Sequence, residues 1–189
     1  MKWKNDRQSQ RTRQALGAAL LQLMKEKGYR AVSIKDIIDR ANVGRSTFYA
    51  HFADKDELFE NQVNRMLETL IEHTPQDVLE GNPYFPSLEL FRHVQEQWKL
   101  YKLLSWEAGN NLHINHLQKT ISQQIEQRLS TVGKTFEFPI PILANFLAGS
   151  LLSLLKWWLD NKMTYSPEQM DEMFRKLALP GTNQVTNIG

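Results

Sequence analysis

Apolar residues recur every three or four positions along most of this chain, and no stretch shows the strict apolar–polar alternation of a half-buried strand. A clear example is the stripe from Ala15 to Met24. The helix that this stripe predicts ends at Gly28, and Lys25 and Lys27 lie in its last turn, where a helix favours cations. We therefore expect an all-α fold of about nine helices.

Capping signals predict where several of these helices begin. Ser33 followed by Asp36 predicts the start of a short helix, and Asp54 followed by Glu57 predicts the start of a longer one. Ser166, the proline after it and a reciprocal Gln169 predict the capped start of a last helix through Leu179. Further helices are predicted over residues 88–109, 114–132 and 142–161, and the proline-rich segment 74–87 is predicted to be a loop.

Charge is unevenly distributed along the 189 residues, although the net charge is only +2. Residues 1–53 carry a net charge of +7, and residues 54–189 carry −5. A basic first quarter suits a polyanion. We therefore predict two domains, a basic head over residues 1–53 and a body with another role over residues 54–189. The basic arm from Lys2 to Arg13 is expected to contact DNA or to be a solvated tail.

The composition excludes several classes of site. The chain has no cysteine, which rules out disulfides, thiol nucleophiles and Cys-bound zinc. It also lacks the His-Glu-x-x-His zinc motif, the Gly-rich phosphate loop and the Gly-x-Ser-x-Gly nucleophile motif. These absences argue against an enzyme, and no cofactor is predicted.

One segment, from Ile140 to Leu159, is nearly as long and apolar as a membrane-spanning helix. It contains Pro141, Asn145 and Lys156, and no basic cluster flanks it. A helix that is apolar on all sides also suits a protein core or a subunit interface, which is our interpretation. The polar, basic first residues lack the apolar core of a signal peptide, so we expect a cytoplasmic protein with no membrane partner.

One region has the pattern of a helix-turn-helix. Two short predicted helices, Ser33–Arg40 and Arg45–Phe52, flank a tight turn that contains Asn42 and a glycine. Asparagine is one of the few residues other than glycine that tolerate a left-handed conformation at such a turn. In the second helix Phe48 and Phe52 are four residues apart, so both are expected to face inward.

The second of these helices has the composition of a recognition helix that enters the major groove of DNA. Arg45 is the best candidate for reading a base, because a guanidinium can hold two acceptors of guanine. Thr47, Tyr49 and His51 are candidates for hydrogen bonds to phosphates or bases. Lys55 lies in the first turn of the next helix, where the helix dipole disfavours a cation. Either a phosphate partner or simple solvation would account for it.

Four motifs stand in a fixed order and spacing: RTRQAL at residues 11–16, GYRAVSIKDI at 28–37, VGRSTFYAHF at 43–52 and DKDELF at 54–59. Together they resemble the N-terminal domain of TetR/AcrR-type transcriptional regulators. This resemblance implies a three-helix DNA-binding head, a long fourth helix, an all-helical ligand-binding body and a homodimer. The positions that match the family's DNA contacts are Ser33, Arg45, Ser46, Thr47, Tyr49, Ala50, His51 and Lys55.

The sequence departs from the commonest pattern of that family at three positions. Asn42 stands where glycine is frequent, Gly44 where serine often caps the recognition helix, and Ser46 where glycine is frequent. A weaker resemblance to one C-terminal variant of these regulators covers residues 155–170. It implies that residues 142–161 and 167–179 form a four-helix dimer interface.

The body is rich in large apolar and aromatic side chains, most of which are expected to form its core. A ligand cavity between its helices would be lined mainly by apolar groups with a few polar ones. The candidate lining residues are Trp98, Tyr101, Trp106, Asn110, His113 and Phe146. With the resemblance, the expected protein is a homodimeric repressor that an unidentified small-molecule effector releases from a palindromic operator.

Two other classes of protein stay open. His113 and His116 are three residues apart and could share a metal with Glu107 or His93, in a metal sensor or a helical enzyme. The basic head could also be a dimeric interaction module that reads no DNA sequence. Bound metal that supports turnover would favour the first class, and salt-dependent but sequence-indifferent DNA binding would favour the second.

Overall fold

The computed structural model describes residues 2–74, 85–105, 111–131, 136 and 138–178. Over these residues it has nine α-helices and no strand, which confirms the all-α prediction. The helices are α1 (Lys2–Lys27), α2 (Ile34–Ala41), α3 (Arg45–Tyr49), α4 (Lys55–His73), α5 (Ser87–Glu96), α6 (Trp98–Ser105), α7 (Asn111–Thr131), α8 (Ile140–Asp160) and α9 (Pro167–Ala178).

The chain divides into two compact units. The first comprises Met1–Arg65 and Lys99–Gly109, and the second comprises Met66–Trp98 and Asn110–Gly189. The helix-turn-helix therefore lies entirely in the first unit.

The core of the first unit is built from the apolar stripes of its helices. Fully buried side chains come from α1, α2, α3 and α4, among them Leu16, Leu20, Ile37, Phe48 and Leu58. Gly17 brings α1 close to α4, since a Cβ there would lie 2.3 Å from the side chain of Gln62.

The second unit packs α8 against α7, and α9 against both α5 and α8. Trp158 of α8 is fully buried, lies edge-on to Phe91 with ring centroids 5.6 Å apart, and donates from Nε1 to the carbonyl of Tyr165 at 2.9 Å. Inside the same core Ser87 Oγ donates to the Asp171 carboxylate at 2.5 Å, which joins α5 to α9.

Helix α8 meets the length and composition criteria of a membrane-spanning helix, with 39% of its most apolar 18-residue window buried. A core helix of a soluble protein passes the same test. Leu143, Leu147 and Leu151 are buried where α8 packs on its neighbours. Packing within the second unit thus accounts for much of its apolar character.

Some boundaries differ from the predicted ones. Helix α1 already begins at Lys2, so the basic arm is the first part of a helix rather than a separate segment. The predicted helix over residues 88–109 is divided at Gln97, which leaves the helical conformation. The recognition helix α3 ends at Tyr49, although the amide of Phe52 still donates to the carbonyl of Phe48 at 2.9 Å.

The predicted capping boxes of α2 and α9 are confirmed. Ser33 Oγ accepts from the amide of Asp36 at 3.2 Å, and the Asp36 carboxylate accepts from the amide of Ser33 at 2.8 Å. Ser166 and Gln169 exchange the same pair of hydrogen bonds, at 3.2 and 2.9 Å. The hydrogen bonds from Ser33, with the nearby Lys27 ammonium, hold the pKa of the Asp36 carboxyl well below its ordinary value.

Ser33→Ala is expected to lower the free energy of unfolding by about 1 kcal/mol at pH 7, because α2 loses its cap. The depressed pKa of Asp36 stabilises the fold fully above the ordinary value of 3.8 and progressively less as the pH falls below it. The loss in Ser33→Ala should therefore be smaller at pH 3 than at pH 7 in urea titrations followed by circular dichroism. Gln169→Ala is the control, since its amide does not titrate. Equal losses at both pH values in Ser33→Ala would contradict this account.

Candidate nucleic-acid interface

The turn between α2 and α3 has the predicted conformation. Asn42 lies in the left-handed region, with φ 52° and ψ 50°, and its amide donates to the carbonyls of Asp39 and Ile38. Gly44 precedes α3 in an extended conformation and provides no side-chain cap. Asparagine thus makes the turn in place of the glycine that is frequent at this position in the resembling family.

The segment of residues 45–52, which comprises α3 and the turn after it, is anchored by two phenylalanines, as their spacing predicts. Phe48 is fully buried and Phe52 is 3% exposed. The remaining predicted contact residues of the segment lie outside this core: Arg45, Ser46, Tyr49 and Ala50 are exposed, and Thr47 and His51 are half-buried. The structure therefore brings six of the eight predicted DNA-contact residues together on one short segment. Their contact with DNA stays a prediction.

The acidic side chains of the head are mostly paired with its own basic residues. Three of its four acids form ion pairs: Glu26 with Arg40 at 2.8 Å, Asp36 with Lys27 at 2.9 Å, and Asp39 with Lys35 at 2.7 Å. Among the residues that the structure describes, Arg45 takes part in no ion pair. Its guanidinium is therefore available to a partner outside the chain.

Arg13 of α1 contacts Phe52, at the end of residues 45–52. Its guanidinium carbon lies 5.9 Å from the centroid of the Phe52 ring, a cation–π distance. The side chains of Arg7 and Arg11, which precede Arg13 on the same helix, are exposed. Arg7 and Arg11 thus face solvent on α1, and Arg13 of the same helix contacts Phe52, which follows α3.

Ser33 and Lys55 complete the predicted contact set and lie at two helix starts. Ser33 is exposed but is occupied as the cap of α2. Lys55 is occupied as well, because its ammonium already has partners inside the protein. Its Nζ donates to the carbonyl of Tyr29 at 3.0 Å and to that of Val32 at 2.8 Å.

Two residues around Lys55 were not predicted as part of the site. The Tyr29 ring lies 4.1 Å below the Lys55 ammonium, and the Tyr29 hydroxyl donates to the Asp56 carboxylate. Burial lowers the pKa of Lys55, partly opposed by the charge of Asp56. Burial, and then the bond to Asp56, raise the pKa of Tyr29 above its ordinary value. No helical period relates residues 26 positions apart, so this contact could not be predicted from local spacing.

The predicted effector residues fall in both units of the chain. Trp98 lies in the second unit and is 39% exposed, and Tyr101 lies in the first unit, where burial raises its pKa. Phe146 is 57% exposed on α8. Trp106 and Asn110 lie outside the described residues, as does the side chain of His113.

A separate groove of about 300 Å³ opens between α7 and α8. Its lining is polar and consists of Asn115, Gln118, Lys119, Ser122, Gln123 and Asn145, with Gln118 donating to Asn145 at 3.1 Å. This lining shares no residue with the predicted effector set and differs from the largely apolar cavity that was expected.

The metal ligation predicted for His113 and His116 is not tested, because the side chain of His113 lies outside the described residues. In the part of the chain that the structure describes, no group of three His, Asp or Glu side chains could hold a metal ion. The Nε2 atom of His116 lies 3.4 Å from Thr120 Oγ1, one turn along α7. Of the two further ligands proposed, Glu107 also lies outside the described residues, whereas His93 lies in α5.

Comparison with known proteins covers both units. The family described as bacterial regulatory proteins, tetR family, matches residues 16–61, and the family described as transcriptional regulator C-terminal region matches residues 81–179. The uncharacterized HTH-type transcriptional regulator YxbF of Bacillus subtilis (strain 168) is 41% identical over 69 residues. The match spans 36% of this chain and 18% of that protein, less than a fifth of its length.

Solved structures extend the similarity to nearly the whole chain. A TetR transcriptional regulator from Streptococcus agalactiae 2603V is 25% identical, with 94% of this chain and 99% of that chain covered and a TM-score of 0.65. A TetR-family regulator from Syntrophomonas wolfei is 26% identical, with 88% and 92% covered and a TM-score of 0.61. One family match coincides with the helix-turn-helix and the other spans more than half of the sequence, and the chain therefore belongs to the TetR family of DNA-binding transcriptional regulators.

Proposed function

We propose that this protein is a homodimeric repressor that binds a palindromic operator through α3 of each protomer and leaves it when a small-molecule effector binds. The observation that carries the proposal is the surface of α3, where Arg45, Ser46 and Tyr49 are exposed around the fully buried Phe48. A helix held in this way can enter the major groove without rearranging its core. The protein would act in the cytoplasm, where the DNA is.

Each exposed side chain has a chemistry that DNA can use. Arg45 would hold two acceptors of one guanine in each half-site. The methyl group of Ala50 would lie against the methyl group of a thymine. The hydroxyl and imidazole groups would bind phosphates and fix the register: Ser33, Ser46, Thr47, Tyr49 and His51.

The dimer would form through α8 and α9. Ile142, Phe146 and Trp157 are 61%, 57% and 46% exposed, and their spacing places them on one side of α8. Leu177 of α9 is 78% exposed. Soluble monomers rarely expose large apolar patches, and the same helices of a second copy would cover these side chains.

Effector binding would act by shifting a population of dimers. The favoured dimer would have recognition helices that no longer fit successive major grooves, roughly 34–36 Å apart. Helix α4 would carry this change, since it contributes residues to both units. Trp98 and Tyr101 stay candidates for the effector site.

Operator binding tests the proposal. Duplexes selected from a random pool, and the DNA upstream of the protein's own gene, would be titrated by fluorescence anisotropy with nonspecific competitor present. We expect a palindromic site bound at least about 10³-fold more tightly than nonspecific DNA. If the dimer neutralises roughly eight phosphates, log K should fall with log salt at a slope of about −7. Steep salt dependence with no preferred sequence would instead identify an interaction module.

A further inference from the structure

We infer that Lys55 is a positioning residue for DNA binding, which holds the start of α4 to the turn before α2 and does not itself bind phosphate. The inference rests on the proposed function, since it assigns a role in operator binding. It starts from the contacts of the ammonium, which is turned inward onto the segment between α1 and α2.

The Lys55 ammonium contacts the backbone and one aromatic ring of the turn before α2. Two of its three N–H donors are taken by the carbonyls of Tyr29 and Val32, at 3.0 and 2.8 Å. The Tyr29 ring covers the ammonium at 4.1 Å. Moving Nζ to a phosphate would break both hydrogen bonds, and of the two carbonyls that of Tyr29 would still accept from the amide of Val32 at 3.2 Å.

Tyr29 makes a second link between the turn before α2 and the start of α4, with its side chain on the turn. Its hydroxyl donates to Asp56, the residue after Lys55, and its ring meets Phe59 edge-on with centroids 5.5 Å apart. The first turn of α4 and the turn at residues 29–32 are therefore joined by two opposed side chains. We call this arrangement the Lys55–Tyr29 clamp.

The clamp acts on the residues that face DNA through the start of α2. Val32, whose carbonyl accepts from Lys55, immediately precedes Ser33, the cap of α2. Helix α2 in turn packs on α3. Fixing the carbonyl of Val32 to α4 thus fixes where α2 begins and, through α2, the position of Arg45 at the start of α3.

Lys55→Met tests the inference, since methionine retains an apolar stem and removes the ammonium. We expect the Kd of the folded dimer for its operator to rise about tenfold, with the salt slope within about 0.5 of the wild-type value, because no phosphate contact is lost. The thermal midpoint should also fall. Lys119→Met removes an exposed lysine of α7 and should change neither quantity.

Tyr29→Phe supplies the second arm, because it removes only the hydroxyl that binds Asp56. If the clamp is one unit, the effect of Lys55→Met and Tyr29→Phe combined will be smaller than the product of the single effects, in both Kd and unfolding. Two independent contributions would simply multiply.

Three results would overturn the inference. A salt slope weakened by about 2 per dimer would make Lys55 a phosphate ligand. A lower thermal midpoint with an unchanged Kd of the folded protein would make its role purely structural. Multiplicative effects in the double variant would show that no clamp exists. Failure of the proposed function looks different, because the wild-type protein would then select no DNA sequence at all.

Discussion

Phe146→Asp is expected to convert the protein from a dimer to a monomer and to lower its affinity for the operator by more than about 100-fold. Phe146 is 57% exposed in the structure, so the substitution should not disturb the core of the protomer. In the proposed dimer the same side chain is covered by the second copy. The carboxylate would then be buried without a partner, and a monomer can occupy only one half-site.

Sedimentation equilibrium and operator titration of the same preparation would measure both effects. Phe138→Asp is the matched control, because Phe138 is also an exposed phenylalanine, at 50%, but lies before α8. We expect the Phe138 variant to remain dimeric and to bind the operator normally. A dimeric, fully active Phe146→Asp protein would place the interface away from this face of α8.

Much of the fold could be predicted because its signals are local. The asparagine in the turn between α2 and α3 predicted a left-handed conformation at Asn42, which the structure has at φ 52°. Asp54 and Glu57 predicted the start of α4, where the amide of Glu57 donates to Asp54 Oδ1 at 2.8 Å. Such signals depend on residues three or four positions apart, which a sequence displays directly.

Other boundaries could not be predicted, because the sequence signals for them are weak. Gln97 interrupts a continuous apolar period, and glutamine is itself a good helix former, so nothing local indicated a break. The arm from Lys2 has neither proline nor glycine up to Gly17, and its lysines, arginines and glutamines favour helix. The prediction of an arm before the first helix rested on its basic charge alone.

The candidate site also has a part that local spacing predicted and a part that it did not. The spacing of Phe48 and Phe52 was enough to predict which face of α3 is buried, and hence that Arg45 and Tyr49 are exposed. Lys55 was a candidate on charge alone, and its partners at Tyr29 and Val32 depend on how α4 packs against a distant turn. Effector residues are harder still, since a cavity is defined by the packing of several helices.

Arg45→Ala is expected to weaken operator binding at least about 30-fold, since each dimer would lose two guanine contacts worth about 1–3 kcal/mol each. The variant should fold normally, because Arg45 is exposed and forms no ion pair within the described part of the chain. Discrimination should relax at one base pair in each half-site. Tyr49→Phe, which removes only an exposed hydroxyl, should cost less and leave base discrimination intact.

Titration of both variants against the operator and against every single base-pair change in one half-site would identify the base that Arg45 reads. Arg92→Ala is the matched control, because Arg92 is an exposed arginine of the second unit that pairs with Glu168. Its affinity should stay within about twofold of the wild-type value. If Arg45→Ala instead lowers affinity equally for all sites and weakens the salt slope by about 2, Arg45 binds phosphate. The base-reading role would then pass to the remaining exposed residues of α3 and the turn that follows it.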